Sequence, residues 1–133
     1  MVATGSRREA RERALGLCYE LEVREVPLDT LLDELPAPPD EFAVALARGV
    51  EDHHAEVDEL LRRYSEHWAL ERMPAVDRAV LRMGAYELGW EPDVPAAVVI
   101  SEAVELAKQY STKDSGRFVN GLLSRIAEEL RPS

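Results

Sequence analysis

The sequence predicts an all-α fold, and three observations carry that prediction. Apolar residues return at intervals of three and four from Ala10 to Ile126, the period of helices with one buried face. No segment alternates apolar and polar residues as a half-buried strand would. Prolines and capping residues divide the periodic stretches into pieces of ordinary helix length, with short connections that favour antiparallel packing.

The elements follow in order. Ser6 and Glu9 have the spacing of a capping box. Ala10, Ala14, Leu17, Cys18 and Leu21 continue at helical intervals, which predicts a helix from about Ser6 to Arg24. Pro27 interrupts it, and Leu28 to Leu35 makes a short second helix that Pro36-Ala37-Pro38-Pro39 stops. Asp40 can cap the next helix, whose buried stripe is Phe42, Leu46, Val50, Val57, Leu60, Leu61 and Tyr64. The polar stretch Glu51 to Glu56 predicts a bend or break inside it. Trp68, Leu70 and Met73 form an apolar bridge. Pro74 suits a first turn, and Val76, Val80, Leu81, Met83, Gly84 and Leu88 follow in a helix ending near Trp90. Pro95 opens another helix that runs to about Tyr110. Asp114 or Ser115 then caps a last helix, through Phe118, Val119, Leu122, Leu123 and Ile126 to Leu130.

Residues 1–133 fit one domain, long enough to bury a core without disulfide or metal staples. The lone cysteine, Cys18, cannot form an internal disulfide. No apolar run reaches the length of a membrane span, and Met1 to Arg13 lacks the apolar stretch of a signal peptide, so the expected location is the cytoplasm. The formal net charge of −10, taken alone, argues against a nucleic-acid partner. Its distribution argues differently. Arg7, Arg8, Arg11 and Arg13 cluster near the N-terminus, while acids concentrate in Asp29 to Asp40 and Glu51 to Glu59. Net charge governs long-range steering, but a local patch governs where a ligand sits.

Catalytic chemistry leaves no trace in the pattern. There is no phosphate loop, dinucleotide fingerprint or zinc-ligand spacing. His53 and His54 are adjacent, so on a helix they point about 100° apart and read as solvated side chains. His67 has no second ligand nearby, and Cys18 lies on an apolar stripe as a core residue. The sequence therefore predicts a binding protein without catalytic residues, metal or cofactor, not an enzyme. Two segments are candidates for the binding. In the first helix, Arg7 and Arg11 lie one turn apart along the edge of the apolar stripe, and Arg8, Leu15 and Tyr19 form a neighbouring strip. Arginine in a first turn opposes the helix macrodipole, whereas a phosphate there would engage both the guanidinium groups and the free backbone N–H groups. The competing reading is a solvated helix start whose arginines pair with Glu9 or Glu12. The second segment is Lys113-Asp114-Ser115-Gly116-Arg117-Phe118-Val119-Asn120-Gly121, two basic residues and an aromatic at a helix start. Phe118 could stack an unpaired base, or it could be core with Gly121 allowing close packing. If both segments lie on one surface, they form one track; if they lie on opposite faces, the first-helix reading loses most of its support.

Four stretches, in order, resemble the NusB family of bacterial transcription factors. They are Arg7-Arg8-Glu9-Ala10-Arg11-Glu12-Arg13-Ala14-Leu15, the stretch Val76 to Leu88 beginning Val76-Asp77-Arg78-Ala79, Val94-Pro95 with Ile100 to Lys108, and Asp114-Ser115-Gly116-Arg117-Phe118-Val119-Asn120-Gly121-Leu122-Leu123. The resemblance spans nearly the whole chain. It implies an all-α fold of about seven helices in two packed helical subdomains forming one compact domain. It implies transcription antitermination, with binding of boxA single-stranded RNA from nascent ribosomal RNA transcripts. It further implies as partners the small-subunit ribosomal protein NusE and the RNA polymerase elongation complex with other Nus factors, together with a possible homodimer. The implied RNA contacts are Arg7, Arg8, Arg11, Tyr19, Asp114, Arg117 and Phe118; the implied NusE surface is Tyr19, Glu71 and Asp77. Glu9, Gly16 and Ser101 depart from the family pattern, in which the first cluster is often more basic, glutamine is usual at the second position and asparagine at the third. The alternative function is a helical adaptor that binds proteins only and has lost RNA recognition.

Overall fold

The computed structural model describes residues 3–65 and 69–132. Among them are α1 (Ala3–Arg24), α2 (Leu28–Glu34), α3 (Glu41–Asp52), α4 (His54–Tyr64), a single 3-10 turn (Leu70–Arg72), α5 (Ala75–Trp90), α6 (Ala96–Tyr110) and α7 (Lys113–Leu130), and no strand. The predicted all-α architecture of about seven helices is the one the chain forms. Trp68 and His67 lie outside the described residues.

Most boundaries answer to a local signal. The Asp40 carboxylate accepts from the N–H groups of Phe42 and Ala43, satisfying orphan donors at the start of α3. Pro74 and Pro95 stand immediately before α5 and α6, where a missing N–H costs nothing. The expected break in the polar stretch falls at His53, between α3 and α4. Two start signals differ from expectation. α1 begins at Ala3, so Ser6 is inside the helix and not its cap; Gly5 is the only breaker upstream, and a helix tolerates a single glycine. α7 is capped by Thr112, whose Oγ1 accepts the Ser115 N–H at 3.0 Å, which places Asp114 and Ser115 in the first turn. α1 ends with Glu25 in the left-handed region, at φ 54°, its N–H donating to Leu21 O at 2.9 Å. Glycine is the usual residue at such a position.

α5 is the hub. α1, α3, α4, α6 and α7 all pack against it, and α6 and α7 pair most extensively with each other. One continuous buried cluster draws on every helix, from Ala14 and Leu17 of α1 and Leu28 of α2 to Leu122, Leu123 and Ile126 of α7. Tyr86 of α5 lies against the backbone of α3 at Gly49, and its ring, Trp90 and His53 stack in one group, with the His53 and Trp90 centroids 4.6 Å apart. His53 is thus a packed side chain and not a solvated one. His54 is exposed and approaches the carboxylate of Asp58 at 3.4 Å.

Two glycines make opposite predictions. A Cβ on Gly16 would meet nothing within 4 Å. Gly16→Ala is therefore expected to stabilise the fold by about 1 kcal/mol, the helix-propensity difference. A Cβ on Gly49 would sit 2.1 Å from the Tyr86 ring, so Gly49→Ala is expected to destabilise. Urea midpoints of the two variants should move in opposite directions.

Candidate nucleic-acid interface

The first helix divides its arginines between surface and interior. Arg7 and Arg8 are exposed. The Arg7 guanidinium lies over the Phe42 ring of α3, 4.0 Å from its centroid. Arg8 donates from Nε and Nη2 to the Glu102 carboxylate of α6, at 3.0 and 2.8 Å. Arg11 is different. It is only 5 % exposed, and its Nε and Nη2 donate to the Glu87 carboxylate of α5 at 3.2 and 2.8 Å. The expected phosphate contact at Arg11 is corrected accordingly: its donors toward α5 are spent on an internal pair, and Phe42 lies 5.3 Å from its guanidinium carbon. The signal for this was present in α5, where Glu87 stands between Tyr86 and Leu88 in an otherwise apolar turn.

Tyr19 is 38 % exposed and borders a shallow depression of about 260 Å³ with Leu15, Gly16, Val76 and Tyr110. Tyr110, at the end of α6, is also exposed, and its hydroxyl donates to Glu12 at 3.3 Å. Periodicity marked Tyr110 only as a helix end; its place beside α1 is a tertiary fact. Glu71 is exposed in the 3-10 turn and accepts from Arg62 at 3.1 Å. Arg78 of α5 holds that turn by donating to the carbonyls of Leu70, Glu71 and Met73.

Asp77 is not a surface acid. It is 5 % exposed, and its Oδ2 accepts the Ser115 hydroxyl of α7 at 2.9 Å. Its Oδ1 is buried without a hydrogen-bond partner among the described residues. The expectation of a partner-facing Asp77 is therefore corrected: α7 covers it, and its charge is placed in the first turn of α5, where the macrodipole favours an anion.

At the start of α7, Asp114 and Arg117 are both well exposed and pair with each other at 2.8 Å. Phe118 is half-buried and packs against the core. The two candidate segments border the same helix. Arg8 and Glu12 reach α6 from one side, at Glu102 and Tyr110, and Arg117 lines the groove on its other side.

A further polar group joins α1, α4 and α5. Glu22 accepts from Arg78 and Arg82, and Arg82 also donates to both oxygens of Asp58. Partial burial pushes the Glu22 carboxyl up, but hydrogen bonds and charge from Arg78 and Arg82 outweigh it and hold the group below its ordinary 4.5. Among the described residues no group of three or more His, Cys, Asp and Glu is placed to hold a metal ion, and no helix is long and apolar enough to cross a membrane.

Comparison with known proteins adds four findings. The family model described as "NusB family" matches residues 8–128. The transcription antitermination protein NusB of Thermobifida fusca is 50% identical over 133 residues, covering 97% of this chain and 93% of that protein. Among solved structures, T. maritima NusB superposes with a TM-score of 0.82 at 41% identity, covering 92% of this chain and 91% of that one. A structure of antitermination factors NusB and NusE in complex with dsRNA gives a TM-score of 0.78 at 27% identity, covering 92% and 96%.

Two predictions follow the ion pairs. Arg11→Ala would leave the Glu87 carboxylate buried and unpaired, which costs about 3–5 kcal/mol and should appear as a large drop in melting temperature. A carboxylate held below its ordinary range contributes stability above that range and loses it as pH falls through the folded value. Glu22→Gln should therefore flatten the acid limb of the stability profile below about pH 4.5, read by denaturant titration at successive pH values.

Proposed function

The chain belongs to the NusB family, and we propose that it acts in transcription antitermination as a non-catalytic factor that holds boxA-type single-stranded RNA and a basic ribosomal protein, NusE, on adjoining surfaces. The observation that carries this reading is the placement of the exposed arginines of α1 and of the α7 start on the two flanks of α6. On a chain of net charge −10, Arg117 stands just past the first turn of α7, whose free N–H groups also favour phosphate, whereas Arg7 and Arg8 lie in the second turn of α1 and offer their guanidinium groups alone. The proposed RNA contacts are Arg7, Arg8, Arg117 and the half-buried Phe118, with Asp114 beside them. Arg11 serves the same face from beneath, because its pair with Glu87 fixes α1 on α5.

Tyr19 and Glu71 are proposed for the protein partner. Tyr19 offers an aromatic ring beside the Gly16 gap, and Glu71 offers an exposed carboxylate that suits a basic protein. Asp77 supports this surface through the α5–α7 contact and does not touch the partner. Joint engagement of RNA and protein would raise the effective concentration of each contact and keep both in the elongation complex. A protein-only adaptor is the second reading, motivated by the pairing of Arg8 with Glu102 and of Arg117 with Asp114, which neutralises both cations in the free protein.

Glu102→Gln distinguishes these readings. Removing that carboxylate's charge frees Arg8 for phosphate, so boxA-like RNA should bind several-fold tighter, and Arg8→Ala should bind it more weakly with a shallower salt dependence. Titration of labelled boxA-like and scrambled RNA, with and without NusE, reads both. Equal affinity for the two RNAs in every case would favour the adaptor.

A further inference from the structure

The chain has two lysines, Lys108 and Lys113, and both line one groove. The groove runs between α6 and α7, measures about 550 Å³, and carries Arg117 as its third cation. Glu105 is its one carboxylate, 3.6 Å from the Lys108 ammonium, with both side chains about half exposed. A pair of that length and exposure holds its partners weakly. The remaining polar lining is neutral, from Ser101, Asn120 and Ser124. The lining itself carries three cations to one carboxylate, and Arg117 also pairs at 2.8 Å with Asp114 beside the groove, which leaves the two lysines as its main positive charge on a chain whose overall charge is −10.

One backbone feature shapes the groove. A Cβ on Gly116 would sit 2.7 Å from Lys108 Cγ and 3.2 Å from its Cδ. The missing side chain lets the lysine stem lie against α7, so the ammonium is carried along the groove. The cations gather at the end where α6 finishes and α7 begins. That end adjoins the proposed RNA face. The far end, near Ala97 and Ser124, is uncharged.

We propose that this groove holds the sugar-phosphate backbone of RNA flanking the element bound at the α1 and α7 starts. The proposal rests on the functional reading above and extends its footprint. Cations at the mouth would neutralise phosphates, and the neutral hydroxyl and amide groups would meet ribose hydroxyls. An acidic polypeptide fits less well, because Ser101, Asn120 and Ser124 interrupt the apolar floor that an amphipathic segment needs.

The test uses the full chain, with NusE, and three RNAs: the boxA element alone, and the element extended by about eight nucleotides on the 5′ or the 3′ side, a length typical of single-strand footprints. Extension on one side is expected to tighten binding several-fold. Lys108→Gln should abolish that gain, leave the short element bound within about twofold, and reduce the salt slope for the extended RNA by roughly 0.7, one single-strand contact. Lys108→Arg should restore the gain. If the short RNA binds but neither extension tightens it, or if Lys108→Gln keeps the gain, the groove proposal is overturned and the α1–α7 reading stands. Failure of the short RNA to bind would overturn both. Lysine-dependent binding of oligoglutamate, without any gain from RNA extension, would assign the groove to an acidic polypeptide and overturn the proposal.

Discussion

Charge buried on α5 sets the terms on which the other helices pack. This helix is covered on several sides, yet it carries Asp77, Arg78, Arg82 and Glu87. Removing an ion from water costs several kcal/mol, so each must find a partner in place. The partners come from different helices: Ser115 of α7 for Asp77, Glu22 of α1 for Arg78 and Arg82, Asp58 of α4 for Arg82, and Arg11 of α1 for Glu87. Sliding α1 by one turn along α5 would break its pairs at both ends together. The register of α1, and with it the outward aim of Arg7 and Arg8, follows from that constraint. Arg131 closes the other end by donating to the carbonyls of Glu87 and Leu88 in the last turn of α5 and of Glu91 and Val94 in the link that follows.

Helix identity and most boundaries were legible because their causes are local. Asp40, Pro74, Pro95 and the proline run after α2 act on the few residues beside them, and the break at His53 follows from a polar stretch. The start of α7 was read two or three residues late because Thr112, Asp114 and Ser115 are all competent caps, and only geometry selects among them. The site was less legible. Arg7, Arg8 and Arg11 share a sequence cluster, and nothing in their spacing separates the arginine that meets Glu87 from those that stay outside. Asp77 is likewise an ordinary first-turn acid until α7 folds over it. The missing information in both cases is the identity of a residue far along the chain.

The same geometry explains how an acidic protein can present phosphate-binding surface. Its arginines are largely consumed internally: Arg11, Arg78, Arg82 and Arg131 hold helices or helix ends together. Exposed acids, Asp33, Glu41, Asp52 and Glu56 among them, supply the negative balance. Formal charge thus misjudges the surface, because it counts buried and exposed groups alike. Exposed cations remain on several elements, Arg24, Arg62, Arg63 and Arg72 among them; at the proposed RNA face Arg8 and Arg117 each stand beside a carboxylate that phosphate would have to displace or share.

Lysine placement has a practical side. With Lys108 and Lys113 the only lysines, side-chain amine chemistry on this protein is confined to the α6–α7 groove. An acylating reagent, apart from reaction at the chain's first residue, would mark that one face and leave the remainder of the molecule chemically silent.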